Sequence, residues 1–210
     1  TTDPDGSRST TSEDTGSEST DTDDLPADCE DAGELIDWDP SSVALDEAVF
    51  PLAVMCGEMQ SESVMFTVYV PDGADKTFRL WIPGPQDGQV FLIDERTVEP
   101  STAGFVKFVV EGLCPGTWYE YGYFVGEDGD FTARSRIGHV RTAIAEDALE
   151  PLVVAIASCC GSSLDWPAIG VTNQEYFDVL LHLGDMAYND GMETLDEYRA
   201  NWRDWMSSPD

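Results

Sequence analysis

The chain has 210 residues, of which 42 are acidic and 10 basic, for a formal charge of -32. Phosphate backbones and anionic lipid need clustered Lys and Arg, so this balance excludes a simple electrostatic nucleic-acid binder and argues against docking on anionic membranes. It implies solubility in a salty or extracellular medium, or carboxylates committed to cations.

No stretch approaches the roughly 20 apolar residues of a membrane span. The chain begins at Thr1 without a signal peptide, so either one was removed or the sequence starts inside a longer gene product. Its cysteines, Cys29, Cys56, Cys114, Cys159 and Cys160, show no CxxC or zinc-finger spacing. An odd number in an exported protein suggests one or two disulfides and one special thiol.

Residues 1–33, "TTDPDGSRSTTSEDTGSESTDTDDLPADCEDAG", are Thr, Ser, Asp, Glu and Gly with almost nothing apolar. Such a segment cannot bury enough surface to offset the entropy of ordering, so disorder is expected. Acidic Ser/Thr linkers of this kind often tether a secreted enzyme to a lipidated cysteine, which here would lie upstream of Thr1. Residues 34–47 read as a connecting segment.

From Ala48 to Ala143 short β-rich runs recur between turn signals: "VFPLAVMCG", "SVMFTVYV", "TFRLWIPG", "QVFLIDERTV", "FVKFVVEGL", "TWYEYGYFVG" and "ARSRIGHVRTA". The separators "PDGADK", "GPQDGQ" and "GEDGD" supply Gly for positive φ and Asp to cap its own backbone. In "FVKFVVEGL", Phe105, Lys107 and Val109 face one way and Val106, Phe108 and Val110 the other. This grammar predicts a β-sandwich of immunoglobulin or fibronectin type III kind over 48–143. "GLCPGTWYEYGYFV" looks like a tyrosine corner, with Tyr119 bonding back to the backbone a few residues upstream. Trp118, Tyr119 and Tyr121 read as sandwich core in preference to a carbohydrate-stacking face. The A–B and E–F loops of such a sandwich gather at one end, so a Cys56–Cys114 disulfide is expected. It would close a loop of roughly 60 residues and contribute about 2–4 kcal/mol in the chain-entropy picture.

After "AEDALEP" the pattern changes. Leu152 to Ala157 is a continuous apolar run, and so is "DVLLHLGD"; such runs read as strands buried on both faces. Strand, crossover and strand predict a βαβ unit of a parallel sheet, the start of an α/β domain over 150–210. Then Thr194 and Glu197 form a capping box, and Leu195, Tyr198, Trp202, Trp205 and Met206 fall on one helical face.

Sites in parallel sheets form outside the carboxyl ends of the strands. The first apolar run ends in Ser158, Cys159 and Cys160, the second in Gly184, Asp185 and Tyr188. If the strands are neighbours, a thiolate, a carboxylate and a phenolate converge. Three anionic donors suit a highly charged ion, with ferric iron the natural choice. Singly, each residue has a plainer reading: a buried thiol or disulfide partner, a turn cap, a packing tyrosine. His182 reads as a satisfied core histidine in preference to a ligand.

Together these stretches resemble the PhoD-type alkaline phosphatases, secreted metallophosphoesterases of the calcineurin-like superfamily with an N-terminal fibronectin-like domain. "VFPLAVMCGEMQSESVMFTVYV" is similar to the family's opening F-x-x-G-V-x-S-G-D segment, with "CGEMQ" in place of S-G-D-P. "SRIGHVRTA" resembles its S-x-x-G-x-x-R-T, "AIASCCG" its S-C motif, "LHLGDMAY" its H-L-G-D-x-x-Y, and "TLDEYRANWRDWMSSPD" its Y-R helix. The resemblance covers about Phe50 to Asp210.

The resemblance implies that Cys159, Asp185 and Tyr188 are metal ligands, with Asp185 bridging Fe3+ and a divalent neighbour, Ca2+. It implies hydrolysis of phosphate mono- or diesters by a metal-activated hydroxide, with no protein nucleophile. It also implies a secreted, periplasmic or surface-tethered location and a monomer. The family's later ligands, D-D-H-E and a downstream Asp and His, have no counterpart here, so the 150–210 segment reads as the truncated first part of a catalytic domain, inactive by itself. Purple acid phosphatases share G-D-x-x-Y but use an aspartate where Cys159 stands. A non-enzymatic secreted sandwich that binds a partner is the other alternative.

Overall fold

The computed structural model describes residues 33–159 and 177–207. Of the expected disordered tail only Gly33 falls inside them. Two antiparallel sheets pack face to face. The smaller has the order β2 (Met55–Gly57), β3 (Ser63–Tyr69), β6 (Phe105–Glu111). The larger runs β1 (Glu34–Asp37), β5 (Gln89–Val98), β4 (Lys76–Pro83), β7 (Trp118–Glu127), β8 (Asp130–Arg134). β9 (Gly138–Arg141) lies beside the first half of β7. This is the fibronectin type III-like sandwich that the turn-punctuated runs predict.

Alternation decides what faces inward. In β3, Val64, Phe66 and Val68 are fully buried while the residues between them are not. In β6, Val106 and Val110 are buried and Phe108 packs beside them, whereas Phe105 and Val109 face outward, as the period-2 pattern requires. From the other sheet come Phe78, Leu80, Tyr119, Tyr121 and Tyr123. Phe66 sits edge-on to Tyr121 with ring centroids 4.8 Å apart, a geometry that adds roughly 0.5–1.5 kcal/mol to plain area burial.

The tyrosine corner forms as expected. The backbone N–H of Cys114 donates to the Tyr119 hydroxyl at 2.8 Å. Tyr119 and Tyr121 are core, while Trp118 is half-exposed.

Three expectations about the sandwich and its approach need correction. Residues 34–47 are not a mere connector, because β1 pairs with β5 and the following turn crosses the outer face of the larger sheet. There Trp38 meets Trp81, Phe124 and Phe131 edge-on. Arg79 lies between the Trp38 and Phe131 rings, 4.4 and 4.6 Å from their centroids, and pairs with Glu95. Residues 77–81 of β4 are therefore buried on both faces. The final run, "ARSRIGHVRTA", splits into β8 and β9 at Ser135. That residue is fully buried; its hydroxyl accepts from Tyr123 N–H at 3.0 Å and donates to Arg136 O at 2.8 Å.

The third correction concerns the cysteines. Cys56 carries a free thiol and Cys114 is disulfide-bonded, so the expected Cys56–Cys114 bridge does not form. Register explains why. Cys56 pairs with Phe66, which pairs with Phe108 two strands across, and Cys114 lies beyond Glu111, the end of that ladder. Roughly 10 Å along the strand, plus two interstrand spacings, exceeds the ~7 Å reach of a disulfide. Instead the Cys56 thiol packs on Tyr121, and burial pushes its pKa up. Cys29 and Cys160 lie outside the described residues.

Beyond the sandwich, β10 (Val154–Ala157) and β11 (Val179–His182) pair in parallel, Val154 opposite Val179 and Ala157 opposite His182. Of the crossover between them, residues 160–176 lie outside the described residues. Burial on both faces, expected from the continuous apolar runs, is absent: Ile156 is 63% exposed and Leu181 47%. A two-stranded ribbon has two faces, and no further sheet or helix layer among the described residues closes over them.

Helix α1 (Leu195–Met206) starts at the expected capping box, with Thr194 and Glu197 each bonding the other's backbone. Its expected apolar face is only partly used. Leu195, Tyr198 and Trp202 stay exposed, and the buried residue is Asn201.

Candidate metal centre

The parallel ladder continues past the strands. Leu183 N–H donates to Ala157 O at 2.9 Å, and Cys159 N–H donates to Gly184 O at 3.2 Å. These bonds bring Cys159 to the start of the turn that carries Asp185. The Cys159 thiol then lies 3.8 Å from Asp185 Oδ2, and the Tyr188 hydroxyl lies 3.4 Å from the same oxygen. The three side chains converge, with Asp185 Oδ2 in reach of both the thiol and the phenol.

The backbone is strained at this point. Cys159 has φ 62° and Asp185 φ 54°, both left-handed. Non-glycine residues adopt that region at a cost, tolerated where surrounding structure dictates it, and such strain clusters at functional sites. Gly184 between the strand and Asp185 has φ 117° with open space where a Cβ would stand. Its requirement is therefore conformational and not steric. His182 is half-buried and its Nδ1 accepts from Gly184 N–H at 3.3 Å, a local role in the turn.

The hydrogen bond to Cys159, burial, and the nearby acidic groups push the Tyr188 phenol up to about 12. Among the described residues no group of three or more His, Cys, Asp or Glu gathers. The trio here includes two such residues, and its third donor is a phenol. Cys160 lies outside the described residues.

Asn201 is the residue that sequence reasoning missed. Its Nδ2 donates to Tyr188 O and to Asn189 Oδ1, each at 2.9 Å. The Asn189 amide in turn donates to Ala187 O at 3.1 Å, and Met192 N–H donates to Asn189 O at 3.2 Å. The capped helix thus holds the turn on which Tyr188 sits. A polar residue amid the apolar positions of an amphipathic helix was the available signal.

No protein-family model matches the chain, and no curated protein matches it. Solved structures do. The structure of PhoD aligns with a TM-score of 0.65 and 22% identity, covering 76% of this chain and 35% of PhoD. The purple acid phosphatase PPD1 from yellow lupin (Lupinus luteus) seeds gives 0.46 and 15%, covering 76% and 34%. The FN5 domain of Drosophila Lar gives 0.33 and 19%, covering 45% and 95%. The chain shares a distant, partial structural likeness with PhoD. It spans about a third of that protein's length, and at this identity the likeness speaks for fold.

Among the described residues no helix is long and apolar enough to cross a membrane.

Proposed function

We propose that this chain is part of a secreted metal-dependent phosphoric ester hydrolase of the PhoD type, and that Cys159, Asp185 and Tyr188 hold its ferric ion. The observation that carries the reading is the meeting of these donors at the ends of two parallel strands: the Cys159 thiol lies 3.8 Å and the Tyr188 hydroxyl 3.4 Å from Asp185 Oδ2, and Cys159 and Asp185 stand on left-handed backbone.

The donors fit the ion. A thiol sulfur, a carboxylate and a phenol gathered at one point can share a single centre, and once ionised by the metal their combined charge would suit a trivalent ion. By the resemblance, Asp185 would also serve a neighbouring divalent ion, calcium in that family. When bound, such ions supply Lewis acidity toward the phosphoryl oxygens and toward attacking water. The chain's own contribution is positioning. The β10–β11 ladder fixes Cys159 and Asp185, and α1 fixes Tyr188 through Asn201. Rigid placement is what a charged bimetal centre needs. The remaining ligands and the layer over the exposed faces of β10 and β11 belong, in this reading, to further polypeptide of the same domain. Residues 1–210 alone are therefore inactive or weakly active.

The test is iron loading of the protein with its complete α/β domain. Phenolate and thiolate ligation should give a visible charge-transfer band. Tyr188→Phe should shift or bleach it, and Cys159→Ser should lower iron content. If both variants keep the wild-type iron and spectrum while Cys160→Ser loses them, the ligand assignment is wrong. If none of the three matters, the metallophosphatase reading fails.

A further inference from the structure

Arg141, in the R-T pair that closes the sandwich, uses its whole guanidinium. Nε donates to Gly116 O at 2.9 Å, inside the sandwich. Nη2 donates to Glu150 Oε2 at 2.7 Å, in the segment leaving it. Nη1 donates to Asp178 Oδ1 at 2.6 Å, at the start of β11. The side chains of Arg141 and Asp178 are 16% and 5% exposed. The other Asp178 oxygen accepts from Val153 N–H at 2.8 Å, just before β10. One arginine therefore ties the sandwich to both parallel strands at their amino ends.

Strand alternation places Thr142 on the opposite side. It is buried; its hydroxyl donates to Cys114 O at 2.6 Å and accepts from Thr117 N–H at 2.9 Å. Thr142 thus fastens the end of β9 to the tyrosine corner, while Arg141 reaches outward from that fixed base. Among the described residues, Ala53 N–H also donates to Met206 O at 3.4 Å, a long hydrogen bond to the end of α1.

We propose that Arg141 and Asp178 form an ionic joint that sets the orientation of the β10–β11 pair, and hence of the cluster at its far end, on the sandwich. The sandwich is then a mount for that cluster and not a separately acting adhesive module. Arginine is required because its planar fork serves three acceptors at once, which a lysine ammonium on a flexible stem does not. The joint stands whatever ion or substrate the cluster takes.

The test uses the full chain and a Glu-specific protease, with cleavage after the exposed Glu146 read by mass spectrometry. Amide exchange in β3 and β7 reports the sandwich separately. Arg141→Ala and Asp178→Asn should each raise cleavage about tenfold or more, the scale expected for losing a charged hydrogen-bonded pair. Arg141→Lys should fall between them and wild type. The double variant should be no faster than Arg141→Ala alone, since that substitution already removes the Asp178 contact together with those to Gly116 and Glu150. Sandwich exchange should stay at wild-type rates. Should Arg141→Ala fail to fold, Asp178→Asn and Arg141→Lys carry the test. The proposal is overturned if Asp178→Asn cleaves like wild type, if the two effects multiply in the double variant, or if sandwich exchange rises in step with cleavage.

Discussion

Asn201→Ala isolates the support of the Tyr188 turn. Asn201 is 9% exposed and gives both amide hydrogens to that turn, at 2.9 Å each. Alanine keeps the helix but removes both donors, leaving Tyr188 O and Asn189 Oδ1 to find water. At about 0.5–1.5 kcal/mol per hydrogen bond, the turn should lose roughly 1–3 kcal/mol against local opening. That corresponds to a ~5- to 150-fold rise in the opening equilibrium. Asn201→Asp should be at least as damaging, because an acceptor then faces two acceptors in a buried position. Amide hydrogen exchange over 186–193 reads the effect, most directly at Met192 N–H, which donates to Asn189 O. Arg199→Ala, on an exposed part of the same helix, should leave those amides unchanged. Wild-type exchange at Met192 in Asn201→Ala, or an Asn201→Asp protein as protected as wild type, would refute the reasoning.

Tyr119→Phe removes the oxygen that receives the buried Cys114 N–H and should cost about 1–3 kcal/mol in urea unfolding, with an unchanged denaturant slope; a shift below 0.5 kcal/mol would deny the corner its role. Gly138→Ala would put a Cβ 2.7 Å from the Tyr121 hydroxyl and closer still to its buried ring, so a loss of about 1–3 kcal/mol is expected from overpacking, and an unchanged melting temperature would contradict it. His139 and Glu120 are 3.3 Å apart, and Trp81 Nε1 donates to Glu120 at 2.8 Å. The Glu120 hydrogen bond raises the His139 pKa, and the His139 hydrogen bond lowers that of Glu120. The histidine contribution is fully present below its unfolded value of 6.5 and lost as pH rises through the raised one. The glutamate contribution is fully present above 4.5 and lost as pH falls through the lowered one. The melting-temperature difference between wild type and His139→Gln should therefore peak between pH 4.5 and 6.5, and a difference flat from pH 4 to pH 9 would exclude the pairing.

Local pattern was enough for much of this molecule. Turn residues and period-2 alternation marked the strands of the sandwich because each strand exposes one face, and that alternation is written residue by residue. The same holds for the capping box at Thr194 and Glu197, which spans one turn of helix, and for Tyr119, whose partner lies five residues away. The convergence of Cys159, Asp185 and Tyr188 was legible because strand ends in a parallel sheet face one side.

What depended on distant chain segments was not legible. β1 pairs with a strand more than fifty residues later, and "ELID" carries no sign of it. Cys56 and Cys114 were separated by the register of β2 against β3 and β6, a property of three strands together. The continuous apolar runs promised a covered sheet, but burial depends on the layers that pack against it, and β10 and β11 remain open. Asn201 was anonymous in sequence and Arg141 only a motif position without a partner, because a polar side chain's partners are chosen by the space it reaches. Only the assembled fold put Tyr188 beneath one and Asp178 beside the other.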